Sequence, residues 1–312
     1  MKILITGGTT WFGQSIVQTL INRGHEVATF DEVPAPWKLE IEKEIRIHQG
    51  SVADIGALMQ AVREERPDAI IHREVLYGAE TEERYLKTVK VNLIGALNVF
   101  EVAALREIQR VVYESSIGVY GVQGDHGDKT IVEEDELFQN PEHVFRLTQH
   151  CTEFFARRYQ KQTGIKIVGT RPSVCHSPLK DKGVSRWSND FVSLPAIGKP
   201  MHFPYPAEQR SSLIWVGDAA EVYARLADTP NLKYNMYNSG GYDVSNKELA
   251  DMVKSFIPDA MFSYENDGIQ PMPCRVSNDR AREDLDLELR PLPETLREHA
   301  IYARKLYGLP PL

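Results

Sequence analysis

The segment KILITGGTTWFGQSIVQTLINRG, residues 2–24, constrains the fold most strongly. KILIT reads as a buried strand, and helical periodicity runs from Gly13 to Arg23, closed by Gly24. Between them lies a turn carrying Gly7, Gly8 and Gly13. Glycines there let the backbone approach a pyrophosphate, whose charge the helix N-terminus stabilises. EVATFD (26–31) is a second strand, and it ends on Asp31, 18 residues after Gly13. A carboxylate at that tip can accept hydrogen bonds from both hydroxyls of a ribose.

The alternation continues along the chain. IRIHQG (45–50), a helix over Ile55–Glu65, the strand DAIIH (68–72) and a helix over Glu82–Leu105 come next. RVVYESS (110–116), a helix over Pro141–Thr163 and KIVGTRP (166–172) complete the series. Strands and helices at this spacing predict an α/β fold built on a doubly wound parallel sheet, a Rossmann fold, with ligands at the carboxyl ends of the strands. From Ser173 to Gln209 the chain turns rich in Pro, Ser, Gly and aromatics. The expected division is a dinucleotide-binding domain over 1–172, rejoined by 211–228, and a smaller substrate-binding lobe over 173–312.

With 42% hydrophobic and 26% charged residues, 312 residues can bury a large core. A net charge of −8 disfavours an electrostatic grip on nucleic acid. Cys151, Cys175 and Cys274 form neither a disulfide framework nor a metal-ligand spacing, so no metal is expected and a cytoplasmic location fits. The apolar N-terminal run is too short for a signal peptide, and no segment is expected to span a membrane.

Several motifs together resemble the extended short-chain dehydrogenase/reductases, the NAD-dependent epimerase/dehydratase family known for nucleotide-sugar chemistry. They are TGGTTWFG (6–13), VNLIGALNVFEVA with Asn92, RVVYESSIGVYG with Ser116, Arg171-Pro172, Arg210, WVGDAAEV with Asp218, YNSGG with Asn238, and SNDRAREDL. The resemblance implies a cofactor groove formed by Gly7, Thr9, Thr10, Trp11, Phe12, Gly13, Asp31, Ser51, Val52, His72, Arg73, Glu74, Asn92, Gln149, Pro172 and Val174. It implies NAD rather than NADP, because a 2′-phosphate would meet the charge of Asp31. A homodimer formed through the Glu82–Leu105 and Pro141–Thr163 helices is also implied. Three departures stand out: Thr10 replaces the middle glycine of the turn, Ser51 an acidic residue beside the adenine, and His72-Arg73-Glu74-Val75 a small apolar stretch. Arg73 and Glu74 either pair with each other and point away, or act on the cofactor groove.

In the family a serine or threonine orients the substrate hydroxyl, a tyrosine removes its proton, and a lysine four residues later tunes that tyrosine. The resemblance puts the serine at Ser116. Within PEHVFRLTQHCTE (141–153) it puts the tyrosine position at Phe145 and the lysine position at Gln149. Phenyl and amide groups cannot carry out that proton exchange. Tyr77, Tyr120 and His176 are the candidate substitutes, ahead of Glu74, Glu114 and Cys175, and Arg210 is the candidate for holding a substrate anion. Three functions remain open: an NAD-dependent enzyme on a nucleotide sugar or another polar hydroxylated substrate, a non-redox lyase or isomerase, and a dinucleotide-binding pseudoenzyme or scaffold.

Overall fold

The computed structural model describes residues 1–41, 44–136, 143–180 and 185–312. Strand β1 (Lys2–Thr6) leads through the glycine turn into helix α1 (Trp11–Asn22), followed by β2 (Glu26–Asp31), β3 (Arg46–Gln49), α2 (Ile55–Glu65) and β4 (Ala69–His72). Two short helices, α3 (Ala79–Glu83) and α4 (Tyr85–Thr88), run through a π-helical turn at Val89–Ile94 into α5 (Gly95–Leu105). Strand β5 (Arg110–Glu114), α6 (Val144–Thr163) and β6 (Lys166–Arg171) complete the first half. The second half holds β7 (Val174–His176), α7 (Trp187–Ala196), β8 (Met201–Phe203), β9 (Arg210–Trp215) and α8 (Val216–Asp228). After these come β10 (Met236–Asn238), β11 (Tyr242–Ser245), α9 (Asn246–Lys254), β12 (Phe262–Tyr264), α10 (Asp279–Leu285) and α11 (Leu292–Leu306).

Seven parallel strands form the main sheet in the order β10-β6-β5-β4-β1-β2-β3. The doubly wound sheet expected from the alternation is therefore present. Side chains alternate across it: Ile3 and Ile5 pack with α1 and α8 on one face, while Leu4, Phe30 and Ile70 pack with α2 and α5 on the other. Of residues 211–228, the helical part α8 lies against α1, whereas β9 pairs with β7 and β11 in a separate three-stranded sheet. A further core gathers Phe191, Phe203, Leu249 and Leu296 around α7, α9 and α11.

The helix expected over Glu82–Leu105 is interrupted. Asn92 sits in the π turn, where its side chain accepts from Leu76 N (2.8 Å) and donates to Leu76 O (2.9 Å). The extra backbone residue turns Asn92 toward the loop after β4, a common use of a π-bulge beside a site. By length and composition alone Tyr85–Leu105 is apolar enough to cross a membrane, a test that a buried core helix also passes, and half of its most apolar 18-residue window is buried within the protein. Helix α6 starts at Val144, and Pro141 lies outside the described residues. Strand β5 stops at Glu114, so Ser116 caps a short turn over Ile117–Tyr120 instead of ending the strand.

Candidate functional site

The glycine turn is packed backbone against backbone. Gly7 adopts φ +71°, and a Cβ on Gly13 would lie 2.1 Å from Gly7 O, so neither position tolerates a side chain. Thr10 caps α1: its Oγ1 accepts from Gly13 N (3.2 Å) and from Arg73 Nη1 (2.6 Å) and donates to Gly7 O (2.7 Å). The hydroxyl that replaces the family's glycine is thereby fully committed to holding the turn. Thr9 donates its N–H (3.0 Å) and hydroxyl (2.8 Å) to Asp31 Oδ1. Asp31 Oδ2 is buried without a hydrogen-bond partner, and burial pushes the carboxyl above its ordinary range.

Arg73 and Glu74 do not pair with each other. Arg73 is 2% exposed and turns inward, with its guanidinium 5.1 Å from the Phe12 ring centre and Nε 3.2 Å from Glu114 Oε2. Glu114 in turn accepts from the Tyr223 hydroxyl at 2.9 Å, and burial raises its carboxyl despite the nearby Arg73. Glu74 turns the other way; burial and the neighbouring Asp31 and Glu32 push it up to about 7. A carboxyl raised on folding binds more protons in the native state, so stability is lost as pH rises from its ordinary 4.5 toward 7. Glu74→Gln is therefore expected to raise the melting temperature at pH 8 and leave it unchanged at pH 4. An equal shift at both values would contradict this.

Above these groups lies a cavity of about 120 Å³ whose walls include Tyr77, Ser116, Phe145, Val174, Cys175 and Lys180. Ser116 Oγ accepts from Gly118 N at 3.0 Å, which leaves its proton free to face a ligand. The Tyr77 hydroxyl accepts from Trp11 Nε1 at 2.8 Å and neighbours Arg73. Phe145 presents its ring to the cavity, and beyond Phe145 and Met272 a second chamber of about 220 Å³ opens. Gln149, one helical turn further, is buried; its Nε2 donates to Glu114 O at 3.3 Å and its Oε1 has no partner. Burial drives the Cys175 thiol up to about 12, which suits a packed side chain and not a nucleophile.

Tyr120, His176 and Arg210 lie away from this cavity, correcting the expectation for each. Tyr120 is fully buried, donates to Asn238 Oδ1 and accepts from Arg171 Nη1, both at 2.7 Å. His176 stands next to Cys175 on β7, so it faces the opposite side, where Nδ1 lies 3.2 Å from His299 Nδ1. Burial takes His176 down to about 3, so it stays neutral. Arg210 spends its charge on Asp243 (2.6 Å) and Glu248 (3.2 Å). Among the implied groove residues, Trp11, Phe12, Arg73, Pro172 and Val174 line the cavity. His72 instead bonds Thr6 Oγ1 (2.8 Å), Val52 belongs to the core, and Ser51 bonds Ala53 N (3.4 Å). Lys180 was not singled out from the sequence, because a lysine in an aperiodic loop carries no positional signal. Its Nζ donates to Ser185 Oγ (2.7 Å) and Ser188 Oγ (3.0 Å), and burial brings it down to about 8.

The family model for the NAD dependent epimerase/dehydratase family matches residues 3–240. The chain belongs to that family. A putative UDP-glucose 4-epimerase of Methanocaldococcus jannaschii is 23% identical over 273 residues, covering 85% of this chain and 87% of that one. A 3 beta-hydroxysteroid dehydrogenase/Delta 5-->4-isomerase of Mycobacterium tuberculosis is 29% identical over 181 residues, 55% of this chain and less than half (46%) of that protein. Among solved structures, L-threonine 3-dehydrogenase from Trypanosoma brucei superposes with a TM-score of 0.89 at 18% identity, covering 99% of each chain. The Thermus thermophilus UDP-glucose 4-epimerase, a complex with NAD, gives 0.81 at 22% identity, with 97% of this chain and 99% of that one covered. At these identities the structural likeness concerns the fold.

Proposed function

We propose that this family member is an NAD-dependent oxidoreductase-type enzyme whose proton chemistry has moved across the cleft, from the positions of Phe145 and Gln149 to Tyr77. The carrying observation is that Tyr77, neighboured by the buried cation Arg73, lines the same cavity as Ser116. The residues present fit a dinucleotide. The turn brings bare backbone to the N-terminus of α1, and Asp31 Oδ2 is a buried acceptor in need of a donor such as a ribose hydroxyl. Arg73, paired with Glu114 through Nε, also reaches the Thr10 cap of α1 through Nη1, the helix end at which an anionic diphosphate would be stabilised. Asp31, Glu32 and Glu74 gather negative charge beside β2, which favours NAD over NADP.

When bound, NAD supplies a hydride acceptor. Ser116 would orient the hydroxyl of a polar substrate, a nucleotide sugar or a smaller molecule. The Tyr77 phenolate, beside the Arg73 cation, would take its proton and become the neutral phenol. Exposed Leu86, Ile94, Leu147 and Phe154 on the α4–α5 segment and α6 support a homodimer through that face. Calorimetry is expected to show NAD binding at least tenfold tighter than NADP, with a nicotinamide absorbance change on turnover of a hydroxylated substrate. Absence of NAD binding would sink the proposal. NAD binding with no spectral change across substrates would favour the alternative, a dinucleotide-binding pseudoenzyme, which the phenyl ring of Phe145 and the engagement of Gln149 with Glu114 O also support.

A further inference from the structure

Building on that reading, we propose that the substrate is an organic acid with an apolar body, and that Lys180 anchors its carboxylate or phosphate group. Lys180 is 4% exposed and lines the cavity, yet among the described residues its ammonium hydrogen-bonds only neutral oxygens, those of Ser185, Ser188 and, at 3.4 Å, the Cys175 carbonyl. Among the described residues the Asp190 carboxylate attracts it through space but forms no ion pair with it, being engaged by Arg186. A buried charge without a directly paired counter-ion is costly, and an anionic ligand offsets that cost.

The local charge balance points the same way. Arg73 and Lys180 approach the Trp11 indole to 5.8 and 5.2 Å from its centre, so two cations border one aromatic wall. Glu114 pairs directly with Arg73, whereas among the described residues Lys180 has only the through-space attraction of the Asp190 carboxylate. Burial already holds Lys180 at about 8, and a bound anion would restore its proton affinity. Ser185 Oγ accepts from Lys180 and lines the cavity as well, so its own proton is available to the same anion.

The remaining walls describe the rest of the molecule. Phe145, Val174 and Met272 are apolar, and the second chamber continues past Phe145 and Met272. Sugar hydroxyls against these surfaces would go without partners, whereas an aryl or alkyl group would be desolvated favourably. Ser116 stands ready for one hydroxyl. Acid group, hydroxyl and apolar body together describe a hydroxy acid or a phosphorylated equivalent.

Mandelate, its neutral analogue mandelamide and inorganic phosphate test this by calorimetry on the full chain, with and without saturating NAD. Mandelate is expected to bind about 10- to 100-fold tighter than mandelamide, the range of a charged hydrogen bond. Lys180→Met should erase that discrimination, and Lys180→Arg should keep part of it. If Lys180→Met does not fold, Ser185→Ala and Lys180→Arg supply the comparison, each expected to weaken mandelate and spare mandelamide. Saturating NAD should leave mandelate binding intact. The proposal is overturned if folded Lys180→Met keeps the preference, or if neither anion binds the unaltered protein at millimolar concentration. It is also overturned if NAD displaces both anions and Lys180→Met weakens NAD, because the anion at Lys180 is then the cofactor's diphosphate. Failure of NAD to bind at all would refute the function proposed above, while the preference for mandelate over mandelamide in cofactor-free protein would still decide the role of Lys180.

Discussion

Tyr77→Phe is expected to lower kcat by about two to four orders of magnitude, the usual contribution of a positioned proton carrier. NAD affinity should change little. The removed group is one hydroxyl, which accepts from Trp11 Nε1 and neighbours Arg73, and the ring itself remains to wall the cavity. If Ser116 merely holds the substrate, Ser116→Ala should raise KM as well as lower kcat, while Tyr77→Phe acts mainly on kcat. Steady-state kinetics on any turned-over substrate separates these outcomes. Undiminished turnover in Tyr77→Phe would remove Tyr77 from the reaction and return the proton to another group on the cavity wall.

Arg171→Met is expected to destabilise the fold by about 3–5 kcal/mol, the cost of leaving a buried carboxylate without its partner. Arg171 and Glu153 are each 1% exposed, and the guanidinium grips the carboxylate with Nε at 2.9 Å and Nη2 at 2.6 Å. The same guanidinium reaches Glu136 (2.7 Å), Glu133 O (2.8 Å) and the Tyr120 hydroxyl (2.7 Å). It thus ties β6 to α6 and to the turn following Ser116. Urea unfolding measures the loss. Adding Glu153→Met to Arg171→Met should recover a large part of it, because the second change removes the stranded charge. A double variant as unstable as the sum of the two single ones would mean that the pair does not act as a unit.

Much of the architecture was legible in the residue pattern, and the exceptions have identifiable causes. The β1-turn-α1-β2 unit could be read because strand and helix periodicities and glycine geometry are properties of adjacent residues. The break in the long helix before β5 was not legible, because it depends on Asn92 gripping Leu76, sixteen residues away. Tyr120 and His176 were expected on loops at the sheet edge, whereas Tyr120 ends a buried turn and His176 ends strand β7, and chain position alone does not say where a side chain points. On β7, Val174 and Cys175 reach the cavity while His176 is buried in the interior against His299. Arg73 and Glu74 illustrate the same limit, since neighbours in sequence took opposite directions and met different partners.

The sequence by itself determined the order of strands and helices, the glycine turn, and a family resemblance that the family model bears out over residues 3–240. These depend on contacts within a few residues or on patterns repeated along the chain. Only the tertiary structure decided which polar groups share a cavity. Arg73 after β4, Glu114 at the end of β5, Phe145 on α6 and Lys180 beyond β7 meet there because parallel crossovers bring the carboxyl ends of separated strands to one edge. Their charges and their burial are set jointly by that meeting. A lysine far along the chain acquires its chemistry from neighbours that no local pattern announces.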